Sequence, residues 1–250
     1  MPRFFFEPTS VTAGEDGNTQ IRLTGDNARH ISLSLRMRVG DPITLCDGRG
    51  HDHHCVISCI DRECVKVDIL SVSESFAEPP YRVTLFQSLA KGEKMDLIIQ
   101  KAVELGVFEI VPVESERSVV RMLDGGERTL KKVARWQKIA DEASGQCGRG
   151  ILPTVRTPIT LSDALRMSEG ALSLFCYEGE GTSPISSIVS EEHANARISV
   201  FIGPEGGYSE DEVRAAVGSG ARLTGLGRRI LRTETAGLFV LSALSFALER

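Results

Sequence analysis

Two short runs near the end of the chain combine glycines with charged residues in a spacing that suits ligand binding. They are Phe201-Ile-Gly-Pro-Glu-Gly-Gly207 and Leu226-Gly-Arg-Arg-Ile-Leu-Arg-Thr-Glu-Thr-Ala-Gly237. Glycine has no Cβ and tolerates positive φ, so a Gly-rich turn lets backbone amides approach a bound molecule closely. The N-terminus of a helix that follows such a turn favours anionic groups. We therefore expect a ligand site built from two backbone loops.

Two common nucleotide motifs fit these runs poorly. Gly225-Leu-Gly227 imitates the first half of a dinucleotide fingerprint, but the third glycine and a strand-turn-helix unit of the right length are missing. Neither run contains the Gly-Lys-Ser/Thr of a phosphate-binding loop. Nicotinamide binding and nucleotide hydrolysis are both disfavoured.

Strands and helices must position the two runs. Ile198–Ile202 is β-branched and aromatic, which is typical of a buried strand, and Ser209–Glu212 has the composition of a helix cap and first turn. Arg222–Leu226 predicts a second short strand. Thr233 is then the predicted N-cap of an apolar helix that ends near Glu249. This arrangement places the two loops side by side.

Alternating strands and helices fill the chain from Tyr81 onward, which predicts an α/β fold with helices on both faces of a parallel sheet. The predicted elements are strand Arg82–Phe86, helix Lys94–Leu105 stopped by Gly106, strand Glu109–Val113, helix Glu127–Ser144 and strand Leu172–Tyr177. In the first helix, one face carries Met95, Ile98, Ile99, Ala102 and Leu105.

Residues 3–72 show short apolar stretches separated by turn residues, which predicts a small β-rich domain. Its predicted strands are Gln20–Leu23, Pro42–Cys46, His53–Ile60 and Cys64–Leu70. Residues 30–41 predict a short helix that leads into a strand. Ile31, Leu35 and Val39 are spaced to face a core in that helix. Hydrophobicity falls in Ser71–Tyr81, so we expect domains at 1–72 and 81–250 with a linker at 73–80.

Composition bounds the class of protein. A net charge of −5 disfavours an indiscriminate nucleic-acid coat protein but permits local basic sites. Two Arg groups qualify, although each could be only a solvated face; they are Arg228, Arg229 and Arg232, and Arg29, His30, Arg36 and Arg38. No apolar run approaches the roughly twenty residues of a membrane span. The N-terminus lacks a signal-peptide pattern, so a cytoplasmic location is expected.

The six cysteines predict thiols rather than a disulfide framework. Zinc is the alternative, because Cys46, His51, His53, His54, Cys55, Cys59 and Cys64 crowd one region. The spacing disfavours it, since no Cys-x-x-Cys pair occurs and His53, Cys55 and Cys59 share parity along a strand. We expect no metal.

The two C-terminal runs closely resemble the signature of the bacterial 16S ribosomal RNA uridine-N3 methyltransferases, members of the knotted SPOUT superfamily. Gln87–Met95 and Glu142–Arg149 also match this family, and Arg3-Phe-Phe and residues 30–41 match less specifically. The resemblance covers essentially the whole chain. It implies an N-terminal small β-barrel of the PUA type and a C-terminal α/β domain with a deep trefoil knot, although knots are nearly absent from proteins.

The resemblance implies methyl transfer from S-adenosyl-L-methionine to N3 of a uridine in 16S rRNA of the small ribosomal subunit. The implied cofactor-binding residues are Ile202, Gly203, Pro204, Glu205, Leu226, Gly227, Ile230 and Leu231. Arg232 is the candidate for stabilising the uracil imidate. Glu234 either accepts the proton or holds Arg232. The alternative for Arg232 and Glu234 is a structural ion pair.

RNA recognition and a homodimer are implied as well. The candidate RNA-binding residues are Arg3, His30, Arg36, Arg38, Arg117, Arg149 and Arg229, of which Arg117 or Arg149 could reach the partner's site. The helix from Thr235 to Leu248 has almost no polar face, so it must be buried on all sides, either by a partner or within one subunit. Ala236, Gly237 and Ala243 are small enough for close helix approach.

Two other classes of function remain open. A non-catalytic RNA-binding assembly factor would keep the basic groups but would not need two adjoining ligand loops. A methyltransferase with a different RNA, a protein or a small molecule as acceptor would keep the loops. Labelled S-adenosylmethionine and small subunits that lack the modification would separate these classes.

Overall fold

The computed structural model describes residues 2–13, 19–61, 63–123 and 125–249. The chain forms two compact units. The first consists of Met1–Glu78 with Ser144–Leu152, and the second of Pro79–Ala143 with Pro153–Arg250. The first unit is therefore built from two separate pieces of chain. The domain limits inferred from the sequence stay a prediction.

The first unit is built on a six-stranded sheet with short helical segments. Its elements are β1 (Arg3–Phe5), β2 (Val11–Ala13), β3 (Thr19–Thr24), α1 (Gly25–Arg29), β4 (Pro42–Cys46), β5 (His51–Ile60) and β6 (Cys64–Glu74). The strand order is β1-β4-β5-β6-β3-β2. β1 runs parallel to β4, and the remaining pairs are antiparallel. β6 extends two residues into the predicted linker, because Ser73 and Glu74 pair with β5.

Apolar residues of this sheet form its core, as their alternation along β3 to β6 predicts. The fully buried members include Ile21, Ile43, Leu45, Ile57 and Val65. Three cysteines are also buried as free thiols: Cys46, Cys55 and Cys64. Within the described ranges, no group of three or more His, Cys, Asp and Glu side chains could hold a metal ion.

For residues 30–41, the predicted short helix is present at His30–Ser34 and β4 follows from Pro42, but the predicted helical spacing of the core-facing residues is wrong. Helix α1 ends at Arg29 and continues only as a π-helical segment, His30–Ser34. Ile31 is buried as predicted, whereas Leu35 and Val39 are exposed. Arg36 has a φ of 53°, a left-handed conformation that a right-handed helix cannot contain. The helical spacing that placed the three apolar residues on one face therefore does not apply beyond this point.

The second unit is an α/β layer structure. Its strands are β7 (Arg82–Ser88), β8 (Glu109–Glu114), β9 (Thr154–Val155), β10 (Ile159–Thr160), β11 (Leu172–Cys176), β12 (Ser183–Pro184), β13 (Arg197–Ile202) and β14 (Arg222–Gly225). Its helices are α2 (Lys94–Glu104), α3 (Glu127–Cys147), whose last residues pass into the first unit, α4 (Leu161–Met167), α5 (Ile185–Ile188), α6 (Glu210–Gly218) and α7 (Thr233–Leu248).

The sheet of the second unit is parallel, as predicted. The order is β10-β8-β7-β13-β11-β14-β12, with β9 beside β8, and every described pair is parallel. The central strands are buried on both faces, which explains their continuous apolar sequences. In the core, the ring of Phe86 stacks on Phe201 with centroids 4.5 Å apart.

Helix α2 shows why the amphipathic prediction succeeded there. Met95, Ile98, Ile99 and Ala102 are buried, as the 3.6-residue period predicts, while Leu105 is half-buried. Gly106 ends the helix with a φ of 83°. A Cβ at this position would lie 2.5 Å from Cγ of Pro79, so a larger residue would require movement of the chain.

The order of the last strands determines which loops meet at one edge of the sheet. β11 lies between β13 and β14, so the chain crosses over β11 on its way from β13 to β14. Because all three strands are parallel, their carboxyl ends open at the same edge. Open α/β sheets bind ligands at this edge, where the strand order changes direction. The loops after β11, β13 and β14 are therefore brought together.

Helix α7 differs from its prediction in two respects. Its N-cap is Arg232 and not Thr233, and no side-chain cap bond forms. Ala236 and Gly237 lie on the buried face against their own subunit, so they cannot form an outer helix contact. Phe239 and Phe246 are 42% and 89% exposed, so the helix is not buried on all sides within one chain. Within the described ranges, none of the helices has the length and hydrophobicity of a membrane crossing.

Candidate active site

A cleft with a volume of about 830 Å³ opens at the carboxyl edge of the second unit's sheet. Three segments form most of its wall, namely residues 176–182, 202–208 and 225–233, which follow β11, β13 and β14. Lys94, Arg117 and Ala236 complete it. The predicted arrangement of two adjoining loops is present, with the segment after β11 as a third wall.

The loop after β13 is fixed by close packing. A Cβ on Gly203 would lie 3.2 Å from ring atoms of Tyr208, a tighter contact than side chains normally make. The Tyr208 ring is buried, with its centroid 4.2 Å from that of Phe175. Arg117 donates from Nη1 to the Gly206 carbonyl at 3.1 Å. The loop therefore has little freedom to change its shape.

Helix α6 begins directly after this loop, as predicted. The Ser209 hydroxyl accepts from the Glu212 backbone N–H, while the Glu212 carboxylate accepts from the Ser209 N–H at 2.9 Å. This reciprocal pair is a capping box, which satisfies two backbone donors at the helix start. The cap anchors the end of the loop.

Thr233 joins the two ligand loops. Gln87, fully buried at the end of β7, donates from Nε2 to the Thr233 hydroxyl at 2.9 Å. The hydroxyl in turn donates to the Gly203 carbonyl at 2.7 Å. Buried hydrogen bonds of this kind hold backbone in one arrangement. The start of α7 is thus tied to the loop after β13, which the predicted capping role of Thr233 did not anticipate.

The loop after β14 depends on Gly227. Its φ is 103°, a conformation that L-residues rarely adopt, and a Cβ there would meet no atom within 4 Å. Leu226 and Leu231 are half-buried, whereas Ile230 is exposed.

All eight residues predicted to bind the cofactor line the cleft: Ile202, Gly203, Pro204, Glu205, Leu226, Gly227, Ile230 and Leu231. Their contacts with a cofactor stay a prediction.

Four charged side chains alternate in sign along the cleft. Lys94 Nζ lies 3.0 Å from Glu205 Oε1 and 3.5 Å from Glu234 Oε2. Arg232 Nη1 lies 3.9 Å from Glu234 Oε1, beyond hydrogen-bond distance. The predicted Arg232–Glu234 contact is therefore loose. Lys94, which lies in the Gln87–Met95 motif but was assigned no role from the sequence, is the nearer cation.

The surroundings keep Lys94 and Glu205 charged. The hydrogen bond to Glu205 raises the pKa of Lys94 above its usual range, with a further contribution from Glu234. Partial burial alone would raise the pKa of Glu205, but hydrogen bonds from Lys94 and from backbone N–H groups, including that of Lys91, lower it below its usual range.

Cys176 and Tyr208 stay protonated at neutral pH. Burial raises the pKa of the Cys176 thiol to about 12. Burial also raises the pKa of the Tyr208 phenol above its usual range. A thiol with so high a pKa is a poor nucleophile. Covalent catalysis through Cys176 is thus disfavoured, although the residue lines the cleft.

Two of the predicted RNA-binding arginines are engaged inside the first unit. Arg149 is buried and pairs with Glu78 at 2.7 Å, so its guanidinium already has a partner in its own chain; its predicted role at a partner's site stays a prediction. Glu78 also accepts from the Gly150 and Ile151 N–H groups, so the pair fixes this stretch of chain. Arg3 pairs with Asp52 at 2.7 Å. The sequence shows that a residue is an arginine, but it does not show whether its guanidinium forms an ion pair within the folded protein.

The other predicted RNA contacts lie at the surface. The exposed residues are His30, Arg36, Arg38, Arg117 and Arg229. Arg117 lies over the loop after β13 of its own chain, where its guanidinium contacts Gly206. Arg229 lines the same cleft. The binding role of all five stays a prediction.

Comparison with known proteins identifies the class. Residues 77–245 match the family described as RNA methyltransferase domain, and residues 23–70 match the RNA methyltransferase PUA domain. Ribosomal RNA small subunit methyltransferase E of Bacillus subtilis is 35% identical over 100% of this chain and 98% of its own. An α/β unit with this cleft and a PUA domain defines an RNA methyltransferase.

Solved structures of methyltransferases are similar to this chain over nearly its whole length. Ribosomal RNA small subunit methyltransferase E of Neisseria gonorrhoeae, bound to S-adenosyl methionine, has a TM-score of 0.84 at 35% identity, over 98% of this chain and 97% of that one. A putative methyltransferase of Legionella pneumophila in complex with SAM has a TM-score of 0.81 at 32% identity, over 98% of this chain and 97% of that one. The chain belongs to the ribosomal RNA small subunit methyltransferase E family, as its C-terminal motifs predicted.

Proposed function

We propose that this protein transfers a methyl group from S-adenosyl-L-methionine to N3 of a uridine in 16S rRNA of the small ribosomal subunit. The observation that carries the proposal is the position of Arg232. Its side chain is 82% exposed at the rim of a cleft formed by two fixed backbone loops, beside the largely buried carboxylate of Glu234. The ribosomal substrate places this activity in the cytoplasm.

The cleft fits the cofactor. Its volume of about 830 Å³ lies within the usual range for small-molecule sites. Ile202, Leu226 and Leu231 offer apolar surface for an adenine, and the backbone of the two loops offers hydrogen-bonding groups for a ribose and an amino acid. When bound, S-adenosylmethionine supplies a reactive methyl group on a sulfonium sulfur. The residues present can hold such a molecule without a metal ion.

Arg232 and Glu234 would activate the acceptor. N3 of uracil carries a proton and is a poor nucleophile while neutral, so the site must stabilise the anion that forms as this proton leaves. The Arg232 guanidinium would do so electrostatically once the bound RNA has displaced water from around it. Glu234 either accepts the proton or orients Arg232. The separation of 3.9 Å supports a guanidinium that is free to turn to the substrate.

Surface cations would position the RNA. Arg36, Arg38 and His30 are exposed in the first unit, and Arg117 and Arg229 in the second. Lys and Arg contacts to phosphates fix the register of a nucleic acid, while a target base must leave its stack before N3 can react. The match to the PUA domain supports RNA recognition by the first unit.

Two finer features of the fold belong to this proposal. One is a small β-barrel in the first unit, and the other is a deep trefoil knot at the loops around Gly203 and Leu226–Leu231. Membership of the family supports both. The crossing of the chain over β11 between β13 and β14 is compatible with such a knot, although unknotted α/β sheets contain crossings of this kind as well.

A homodimer also belongs to the proposal. Phe239 and Phe246 are seven residues apart, so they share one face of α7, and both are exposed in the single chain. Large exposed apolar side chains in a common stripe mark an interaction surface. A second copy of α7 would cover them. Phe239 and Phe246, rather than Ala236 and Gly237, then make the contact.

Methyl transfer from labelled S-adenosylmethionine tests the function. Three acceptors are compared: small subunits from cells that lack the modification, free 16S rRNA, and ribosomal proteins stripped of RNA. We expect label in the RNA of the first acceptor. Binding to subunits without any transfer would instead favour a non-catalytic assembly factor, and label only in protein would favour a different acceptor.

A further inference from the structure

Lys94 connects three parts of the active site. It is the first residue of α2, and its ammonium group lies 3.0 Å from Glu205 in the loop after β13. The same group lies 3.5 Å from Glu234 in the first turn of α7. Glu205 also accepts from the Lys91 backbone N–H at 3.2 Å. The Lys94 ammonium group thus lies beside two carboxylates from different segments of the chain.

Glu234 depends on this cation. Its side chain is only 17% exposed, and its Oε2 atom is buried without a hydrogen-bond donor among the residues that the structure describes. A largely buried carboxylate is stabilised when a cation lies beside it, since burial removes part of its contact with water. In the described part of the chain, its ion-pair partners are Lys94 at 3.5 Å and Arg232 at 3.9 Å. Lys94 is the nearer one and is itself half-buried.

Arg232 benefits from the arrangement. If Glu234 had no other partner, its charge would draw the guanidinium down into the site, and that guanidinium would be neutralised before a substrate arrived. With Lys94 in place, the Arg232 side chain remains 82% exposed. The guanidinium of Arg232 therefore remains available to interact with a group outside the protein.

We propose that Lys94 is a positioning residue that neutralises Glu234 and so leaves the Arg232 guanidinium free for the RNA substrate. The inference rests on the proposed function, because it assigns Lys94 a role in that same reaction. It also makes a claim about the protein alone: without the Lys94 charge, Arg232 moves toward Glu234.

Three variants test the role in catalysis. Lys94→Met removes the charge at nearly equal length, and Lys94→Arg keeps it. Lys101→Met is the matched control, since Lys101 lies on the same helix and pairs with Glu104 at the surface. We expect Lys94→Met to lower kcat about 10- to 100-fold and to leave KM for subunits little changed. This loss is smaller than that expected from removal of a residue that stabilises charge directly. Lys94→Arg should restore most of the rate, and Lys101→Met should match the wild type.

A chemical probe tests the position of Arg232 without any methyl transfer. Phenylglyoxal modifies accessible guanidinium groups, and mass spectrometry follows its rate at Arg232 relative to Arg229, an exposed residue of the same loop. We expect this relative rate to fall several-fold in Lys94→Met and to remain unchanged in Lys101→Met. An unchanged rate at Arg232 would overturn the inference.

The outcomes separate the inference from the function on which it rests. Wild-type protein that transfers no methyl group to RNA would refute the proposed function, while the phenylglyoxal result would still judge the arrangement of charges. An active wild type with full kcat in Lys94→Met would refute the positioning role alone. Loss of S-adenosylmethionine affinity with full kcat at saturation would show that Lys94 orders the loop through Glu205, which also contradicts the inference.

Discussion

Arg232 is held by few contacts for a residue at the centre of an active site. Its nearest described carboxylate is 3.9 Å away, and most of its side chain faces solvent. A structural ion pair would be short and largely buried, as the Arg149–Glu78 pair is at 2.7 Å. The contrast between these two arginines supports a substrate role for Arg232 and a structural role for Arg149.

Arg232→Ala should therefore strongly slow methylation while leaving the fold and cofactor binding intact. We expect kcat to fall about 10²- to 10³-fold, because a charge stabiliser of the transition state is lost. The free energy of unfolding should change by less than about 0.5 kcal/mol, since the side chain is exposed. Single-turnover methylation and thermal unfolding measure the two effects.

Arg214→Ala is the control for this variant, because Arg214 is an exposed arginine of α6 whose ion pairs, with Glu210 and Asp211, lie within its own helix. It should retain full activity. A loss of several degrees in Tm with full methylation in Arg232→Ala would show that Arg232 is structural instead.

The sequence predicted the loop residues of the site better than their partners. The eight predicted cofactor residues line one cleft because each set lies within a few residues of the end of a strand, so neighbouring residues in the sequence are also neighbours in the cleft. Lys94 and Gln87 were not assigned roles, because their partners Glu205 and Thr233 lie 111 and 146 residues away. Only the parallel sheet brings such residues together.

At the level of elements, the backbone of the loop after β14 is the sensitive part of the cofactor site. Gly227 has a φ of 103°, which a β-branched residue adopts only with strain. Gly227→Val should cost about 1–3 kcal/mol in local strain, so the loop should change shape and S-adenosylmethionine should bind at least several-fold more weakly. Isothermal titration measures the Kd.

Gly218→Ala provides the matched control, because Gly218 ends α6 with ordinary backbone angles and open space at its Cβ position. Its Kd should equal that of the wild type. Unaltered cofactor binding by Gly227→Val would remove this loop from the cofactor site.

Elements with a clear hydrophobic period were predicted to within a few residues. The predicted bounds of β13, β8 and α2 match the structure because burial of one or both faces gives these segments a recognisable pattern of apolar residues. The end of β6 was missed, since residues 70–74 are exposed and the strand continues there through its backbone ladder with β5. Backbone pairing of exposed residues leaves no hydrophobic signal.

For the whole molecule, the exposed face of α7 is the feature that a single chain leaves unexplained. Burial of a Phe side chain contributes about 1.5–3 kcal/mol. The double variant Phe239→Ser/Phe246→Ser should therefore weaken a dimer enough to yield a monomer of 27.2 kDa at micromolar concentration. Light scattering measures the mass.

Phe76→Ser is the control, because Phe76 is a large exposed phenylalanine of the first unit, away from α7 in the sequence. It should leave the mass of the wild type unchanged. A wild-type protein that is active as a stable species of 27.2 kDa would contradict the proposed dimer.

The position of the methyl group on the RNA tests the central claim most directly. Small subunits from cells that lack the modification are incubated with the protein and S-adenosylmethionine, and the 16S rRNA is digested to nucleosides for mass spectrometry. Because N3 methylation removes the Watson–Crick donor of uracil, reverse transcriptase should also stop beside the modified base. We predict one new 3-methyluridine per 16S rRNA and one new stop, both absent with Arg232→Ala. A methyl group on a ribose, on another base or on C5 of uracil would contradict the account.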